Sequence, residues 1–212
     1  MAEKKLAITI GRQFGSGGRK IGERVAEILG IKFYDKELII LAAKKSGINL
    51  ELLDTIDEKA TNSLLYTLAM GSSIYGGSTN VGYDIPINDK LFLTQSEIIK
   101  ELAEEGPCVI VGRSADYVLR DYPGHLGVFV YADQKARIAR VAEREGIGQN
   151  AAKDLVNKTD KRRANYYNFY TGRKWGQHEN YKMCVDSEML GAEGAAQLIA
   201  SAAKIFQENI KD

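Results

Sequence analysis

Residues 6–22 of this chain read LAITIGRQFGSGGRKIG, an apolar run that passes into a glycine-rich segment. The run Leu6–Ile10 has the composition of a buried strand. After the glycines, apolar residues recur about once per helical turn, at Ile21, Val25, Ile28 and Leu29. Glycines expose backbone N–H groups and a helix N-terminus carries partial positive charge, so this arrangement favours an anion. The stretch predicts phosphate binding by Gly15, Ser16, Gly17 and Gly18, with Arg19 and Lys20 adding charge.

The standard nucleotide-binding loop, G-x-x-x-x-G-K-[ST], is absent from this stretch. If Gly15-Ser16-Gly17 forms the tight turn, Gly18 stands where that pattern has its lysine. A dinucleotide-binding pattern fits less well, because the third glycine is missing at Lys20. The alternative is a strand-to-helix connection that binds no ligand.

The composition of the chain argues against several classes of function. The 212 residues carry 29 basic and 28 acidic side chains, a net charge of +1, so no overall field favours nucleic acid or an anionic membrane. Cys108 and Cys184 lie in apolar runs and predict two buried thiols in a reducing cytoplasm. No apolar stretch approaches the length of a membrane span or a signal peptide. We expect a cytoplasmic protein of one α/β domain.

Strand and helix patterns alternate along the chain, which predicts a five-stranded parallel sheet in a three-layer αβα arrangement. The predicted strands are Leu6–Ile10, Lys32–Tyr34, Cys108–Val111, Gly127–Tyr131 and Met183–Val185. The predicted helices are Gly18–Leu29, Lys36–Ser46, a helix from the capping box Thr94–Glu97 to Glu105, Gln134–Glu145 capped by Asp133, Asn150–Tyr170 and Ala192–Asn209.

Two segments depart from this alternation. Residues 51–90 read as a helical stretch followed by glycine- and serine-rich loops, which predicts an insert on the acceptor side, a lid, a dimer contact or a loop without function. Residues 150–176 combine arginines, lysines and aromatic residues in a segment that resembles a lid. Arg162, Arg163 and Arg173 are candidates to close over a polyphosphate, and the alternative is a solvated helix face.

Ligands of parallel α/β sheets bind beyond the carboxyl ends of the strands, and this rule selects further candidates. They are Asp35 after the second strand, Arg113 and Asp116 after the third, and Asp186 after the fifth. Arg113 is the most informative, because a guanidinium grips a phosphate with two hydrogen bonds. A capping or ion-pair role is its alternative.

Three arginines, Arg137, Arg140 and Arg144, share one face of a predicted helix. The favoured interpretation is a solvent-exposed, ion-paired helix face. The alternative is that Arg137 or Arg140 reaches the predicted site at the carboxyl ends of the strands. His125 and His178 lack partners at metal-ligand spacing, so histidine catalysis and metallohydrolase chemistry rank low.

The chain resembles the cytidylate kinase-like family, a branch of the P-loop nucleoside monophosphate kinases. The resemblance rests on ITIGRQFGSGGRKIGERVAE, FYDKELI, CVIVGRSADYVL, DKRRANYYNFYTGRKWG and YKMCVDS, which occur in this order over nearly the whole chain. Members carry a loop lysine followed by Gly-Thr, and here those places are Gly18, Arg19 and Lys20. Arg19 or Lys20 is then expected to replace the lysine, and Ser16 to offer the hydroxyl that binds the metal.

The resemblance implies a P-loop fold, ATP and Mg²⁺ as cofactors, and phosphoryl transfer to a nucleoside monophosphate, with CMP or dCMP first. It implies acceptor binding by Asp35 and Arg113, with Asp116 taking the place of an aspartate where Ser114 stands. It implies lid arginines at Arg162 and Arg163 and a nucleotide contact at Asp186.

Two other functions stay open at this stage. One is a nucleotide-binding sensor or partner protein without transfer activity, which the glycine at position 18 favours. The other is a kinase for a different small acceptor. Nucleotides are the expected partners in each case, and a homo-oligomer is compatible with the sequence.

Overall fold

The computed structural model describes residues 6–35 and 87–210. The chain divides into two compact units, one of residues 1–35 and 99–212 and the other of residues 36–98. The helix predicted over Lys36–Ser46 and most of the 51–90 insert lie outside the described residues.

A five-stranded parallel sheet forms the centre of the first unit, as predicted. Its strands are β1 (Ala7–Arg12), β2 (Lys32–Tyr34), β3 (Cys108–Val111), β4 (His125–Tyr131) and β5 (Met183–Asp186), in the order β2-β3-β1-β4-β5. Strand β1 is central, and its Ala7 is in register with Cys108 of β3 and His125 of β4. The α/β class is confirmed, and so is the position of every predicted strand.

The described helices are α1 (Gly18–Leu29), α2 (Ile87–Glu105), α3 (Ala115–Val118), α4 (Gln134–Glu145), α5 (Gln149–Thr171) and α6 (Ser187–Glu208), with a 3₁₀ turn at His178–Asn180. Helices α1 and α6 pack against each other and against the sheet. Their apolar faces and the strands bury a continuous core that includes Ile8, Ile10, Ile21, Val128 and Ile199. This core fixes the carboxyl ends of the strands relative to the start of α1.

Two predicted helix starts were wrong. Helix α2 begins at Ile87, so Thr94 lies inside it rather than at its cap. The Ser96 hydroxyl donates to the Phe92 carbonyl oxygen of the preceding turn at 2.8 Å, a bond that a serine inside a helix makes. Helix α6 begins at Ser187 and is kinked at Gly191, so its main body starts where the sequence predicted.

The prediction of two buried thiols was half right. Cys108 is buried, and its burial raises the pKa of the thiol to about 11. Cys184 is exposed, because it lies on the edge strand β5 and alternates with Val185, whose side chain enters the core. Within residues 6–35 and 87–210, no helix combines the length and the apolar character needed to cross a bilayer.

Candidate functional site

The predicted phosphate loop comprises residues 12–18, from the last residue of β1 to the first residue of α1. Gly15 (φ 80°) and Gly17 (φ 79°) both adopt the left-handed conformation that glycine takes without strain. A Cβ atom at Gly15 would lie 2.8 Å from the carbonyl oxygen of Arg137, so only glycine fits there. Helix α1 starts at Gly18 after the N-cap Gly17, which has no side chain to cap it, and the Gly18 N–H donates to the Ser16 hydroxyl oxygen at 3.4 Å. The partial positive charge at this helix start favours an anion.

The two helices after β4 hold this loop in place. Asp160 of α5 accepts a hydrogen bond from the Phe14 backbone N–H at 2.7 Å, and its other oxygen lies 2.6 Å from Arg137 Nη1. Arg137 of α4, which is buried, donates in turn to the Phe14 carbonyl oxygen at 3.1 Å. The Phe14 ring packs into the small core between α4 and α5. The conformation of the loop is therefore coupled to these helices.

Two further arginines contact the loop backbone. Arg140 Nη1 lies 3.4 Å from the Gly15 carbonyl oxygen, and Arg163 Nη1 donates to the Arg12 carbonyl oxygen at 3.0 Å. The favoured interpretation of a solvated α4 face was therefore wrong for Arg137 and Arg140. Arg144 is exposed and pairs with Glu145, in line with that interpretation, but its guanidinium also lies 5.0 Å from the centre of the Phe14 ring in the loop.

Ser16 lies at the centre of the loop and is buried. Its hydroxyl donates to the Gln13 carbonyl oxygen at 2.9 Å, and its own carbonyl oxygen accepts from the Ser187 hydroxyl at 2.6 Å. The neighbouring Asp186 caps α6 by accepting from the Glu188 N–H at 2.9 Å. Ser16 therefore lies in the loop, and Asp186 precedes Ser187, which contacts it. The side chains of Ser16 and Asp186 are each hydrogen-bonded to a backbone group.

Asp35 is buried at the end of β2 and faces two arginines of the first strand and helix. Arg19 Nε donates to Asp35 Oδ2 at 2.7 Å, whereas Arg12 Nη2 lies 3.9 Å from Asp35 Oδ1. The Arg19 guanidinium also lies 3.4 Å from Glu23 and is half exposed, and Lys20 is exposed. Asp35 and the Phe33 ring therefore hold the Arg19 guanidinium beside the end of β2.

The segment after β3 is strained. Gly112, Arg113 and Ser114 have consecutive positive φ angles of 78°, 57° and 52°. For the two non-glycine residues this conformation costs about 1–3 kcal/mol each, and such strain is concentrated at binding sites. The Ser114 hydroxyl is buried without a hydrogen-bond partner among the described residues. Strain and an unpaired hydroxyl together indicate a ligand contact.

Asp116 lies behind this segment. Burial raises the pKa of its carboxyl to about 6, opposed by a hydrogen bond from the Tyr167 hydroxyl at 2.7 Å. Asp116 is buried, and the bond joins α3 to α5. The predicted acceptor residue thus has a structural partner, Tyr167, which sequence reasoning did not single out.

Arg163 of α5 lies against the loop, and the charges of Arg162 and Arg113 lie near it. Burial lowers the pKa of Arg163, and the charges of Arg162 and Arg113 lower it further, against the opposing effects of Asp160 and Asp35. The Arg163 guanidinium lies 5.4 Å from the centre of the Phe14 ring. Mutually repelling guanidinium groups beside a loop of this geometry are stabilised by a bound anion.

The structure brings most of the predicted site residues to one rim of the sheet. Arg12 lies 3.9 Å from Asp35 and its carbonyl oxygen accepts from Arg163, whose pKa the charge of Arg113 lowers. The Ser16 carbonyl oxygen accepts from Ser187, the residue after Asp186. Sequence reasoning missed Arg12 and Asp160. The sequence signal for Arg12 was the glycine at position 18, where the standard pattern has its lysine. No sequence signal pointed to Asp160, because its partner Phe14 is 146 residues away.

Known proteins resemble this chain along nearly its whole length. It is 27% identical over 208 residues to a cytidylate kinase of Archaeoglobus fulgidus, covering 94% of this chain and 96% of that protein. It is 24% identical over 204 residues to a cytidylate kinase of Pyrococcus horikoshii, covering 95% and 90% respectively.

Solved structures show the same fold. An uncharacterized protein of Eubacterium ventriosum matches with a TM-score of 0.69 at 28% identity, covering 94% of this chain and 99% of that one. The shikimate kinase of Bacteroides thetaiotaomicron matches with a TM-score of 0.54 at 13% identity and the same coverage, which shows the P-loop kinase fold alone. The model of the cytidylate kinase-like family matches residues 7–189, and the chain belongs to that family.

Proposed function

We propose that this protein transfers a phosphoryl group from ATP to a nucleoside monophosphate, with CMP or dCMP as the first candidate acceptors. The observation that carries the proposal is the phosphate loop itself, which leads into α1 without an N-cap side chain and is contacted by Arg140 of α4 and Arg163 of α5. Phosphoryl transfer needs charge neutralisation, alignment of the attacking and leaving oxygens, and exclusion of water. Family membership supports the same activity.

The candidate residues at the carboxyl ends of the strands each have a role in this proposal. Backbone N–H groups of Gly15–Gly18 hold the donor phosphates. Arg113 fixes the acceptor phosphate, and Arg162 and Arg163 stabilise the charge of the group in transfer. Residues 150–176 serve as the lid and residues 51–90 as the acceptor-side region. Arg19, Lys20 and Asp186 remain candidate donor-side contacts, and Asp35 and Asp116 remain candidate acceptor contacts.

Mg²⁺ enters the proposal with ATP. When bound, it neutralises charge on the β and γ phosphates. The described residues contain no group of three or more side chains suited to hold a metal ion. The Ser16 hydroxyl oxygen is buried and already accepts from the Gly18 N–H, and Arg19 places a cation where the standard pattern has its hydroxyl, so neither side chain fits a metal ligand. An ion carried by the ATP phosphates needs none of them.

The test is ADP release coupled to NADH oxidation, with CMP, dCMP, UMP and AMP as acceptors. We expect turnover with at least one pyrimidine monophosphate. Replacing both lid arginines (R162M with R163M) should lower kcat by about 10³-fold or more, because such groups act mainly in the transition state. A folded protein that turns over none of the four contradicts the proposal.

A nucleotide-binding protein without transfer activity is the second candidate. The specific observation in its favour is that Gly18 and Arg19 replace the lysine and hydroxyl of the standard loop. Calorimetry separates the two, because this candidate predicts nucleotide binding without turnover. A kinase for another small acceptor instead predicts binding of ATP and thermal stabilisation by a non-nucleotide acceptor.

A further inference from the structure

Compared with the standard nucleotide-binding pattern, the loop has a glycine and a cationic residue in exchanged positions. When the standard pattern G-x-x-x-x-G-K-[ST] is aligned with its second glycine at Gly17, its first glycine falls on Arg12 and its lysine falls on Gly18. The chain thus has a cation where the pattern has a glycine, and a glycine where it has the cation.

The geometry shows that these exchanges depend on each other. A Cβ atom added at Gly18 would lie 2.5 Å from Arg12 Cβ and 3.1 Å from Arg12 Cγ. Real Cβ atoms do not approach that closely, and the atoms they would meet are at the rigid base of the arginine side chain rather than at its flexible end. A side chain at position 18 and the arginine at position 12 therefore exclude each other.

A second glycine flanks the other end of the same side chain. A Cβ atom at Gly112 would lie 2.9 Å from Arg12 Cζ and 3.2 Å from Nη2, and Gly112 has a φ of 78°. The Arg12 side chain therefore runs from the end of β1, across the first residue of α1, to the end of β3. It is mostly buried along this path, with 22% of its side chain exposed.

Arg19 and Lys20, the other cationic residues near the loop, are less well placed to bind a phosphate there. Asp35 accepts from Arg19 Nε at 2.7 Å, while it is 3.9 Å from Arg12 Nη2. The Arg19 side chain is 52% exposed, and Lys20 is exposed one residue further along α1. Among Arg12, Arg19 and Lys20, Arg12 is the one whose side chain crosses the anion-binding start of α1.

We propose that Arg12 replaces the loop lysine and binds the terminal phosphate of the donor nucleotide, a role that rests on the proposed function. The loop N–H groups hold the inner phosphates, and a guanidinium between α1 and the end of β3 lies toward the acceptor side of the loop. Arg12 therefore contributes more to binding of ATP than of ADP.

The first experiment measures ATP and ADP binding to the full-length protein by calorimetry with Mg²⁺ present. In R12M, we expect ATP affinity to fall by about tenfold or more and ADP affinity to fall less, since a charge-assisted contact to the terminal phosphate is lost. R12K should regain part of the ATP affinity. R24M, which removes an arginine of α1 that pairs with Glu193, is the matched control and should bind both nucleotides like wild type.

The second experiment exchanges the two positions. G18K alone should lower the unfolding midpoint, because its Cβ overlaps Arg12. The double variant R12G/G18K removes the overlap and restores the first glycine and the lysine of the standard pattern, so both the midpoint and the ATP affinity should return toward wild type. A non-additive double-mutant cycle is the expected signature.

The outcomes separate the two proposals. If wild type binds ATP and R12M binds it equally well, or loses ATP and ADP affinity equally, Arg12 does not replace the lysine and the kinase proposal stands. If G18K is as stable as wild type, or the two substitutions add independently, the exclusion between positions 12 and 18 is wrong. If wild type binds neither nucleotide, both proposals are overturned.

Discussion

At the scale of single residues, Asp160 is the position that links the loop to the helices. One of its oxygens accepts from the Phe14 N–H and the other pairs with Arg137, whose side chain is 8% exposed. An ion pair this far from solvent contributes little by forming, yet breaking it is costly because the surviving charge is left buried. The geometry of the phosphate loop therefore depends on a carboxylate that touches no ligand in our proposal.

The variant D160N tests this dependence. The asparagine keeps an oxygen that accepts from Phe14 but loses the charge that pairs with Arg137, so we expect the free energy of unfolding to fall by about 3 kcal/mol. Urea denaturation measures the change. The control is D154N, because Asp154 lies on the same helix and is exposed. Equal stability of the two variants would show that the Arg137 pair is unimportant.

At the scale of elements, α6 contains a break that only glycine tolerates. Gly191 has φ 65° and ψ 171° inside the helix, which divides a first turn from the main body. Nothing lies within 4 Å of a Cβ atom added there, so the position is restricted by its backbone conformation and not by crowding. The break lets Asp186 and Ser187 meet the phosphate loop while the body of α6 packs on α1.

A pair of alanine substitutions isolates this backbone effect. G191A should lower the free energy of unfolding by about 1–3 kcal/mol, because alanine is strained in that region. G194A lies in the regular part of the same helix, and its Cβ would meet Leu190 at an ordinary 3.6 Å. It should raise stability by about 0.5–1 kcal/mol. Thermal denaturation measures both, and shifts of the same sign would contradict the assignment.

The elements themselves were largely predictable from sequence. Alternation and helical spacing located all five strands and the bounds of α1 and α4, since these segments carry one strong period each. The start of α2 was misplaced because Thr94-Gln95-Ser96-Glu97 has the spacing of a capping box within a longer helix. The short α3 carried no signal, because four residues are too few to show a period.

The site was predictable only in part, for a physical reason. Local patterns identify the loop and the residues that end each strand. They do not report that Arg137, Arg140 and Asp160 fold back on a loop more than 120 residues earlier, since such contacts depend on tertiary packing. The role of Gly18 is equally hidden until the Arg12 side chain is seen beside it.

At the scale of the whole molecule, stability responds to acid through His125. Its ring Nε2 lies 2.7 Å from Thr9 Oγ1 in the core, and burial, with a smaller effect from Lys182, lowers its pKa from 6.5 to about 4. Between these two pH values the unfolded chain binds a proton that the folded protein does not. The contribution of His125 to the free energy of unfolding therefore falls as the pH falls through that interval.

The variant H125Q removes this response and keeps a polar partner for Thr9. Between about pH 7 and about pH 5, we expect wild type to lose about 1–2 kcal/mol more unfolding free energy than H125Q. Guanidinium chloride denaturation at each pH measures the difference. H178Q is the control, because His178 is exposed, and it should follow wild type. Parallel curves for wild type and H125Q would refute the assignment to His125.

The position of β1 at the centre of the sheet has a consequence for biosynthesis. This strand is synthesised long before its neighbours, because Ala7 pairs with Cys108 on one side and His125 on the other. The residues between β1 and β3 must therefore be synthesised before β1 finds either neighbour, and pairing over such separations is slow. Until then its apolar side chains are open to association with other nascent chains, so a holding chaperone would act on the nascent chain between β1 and β3.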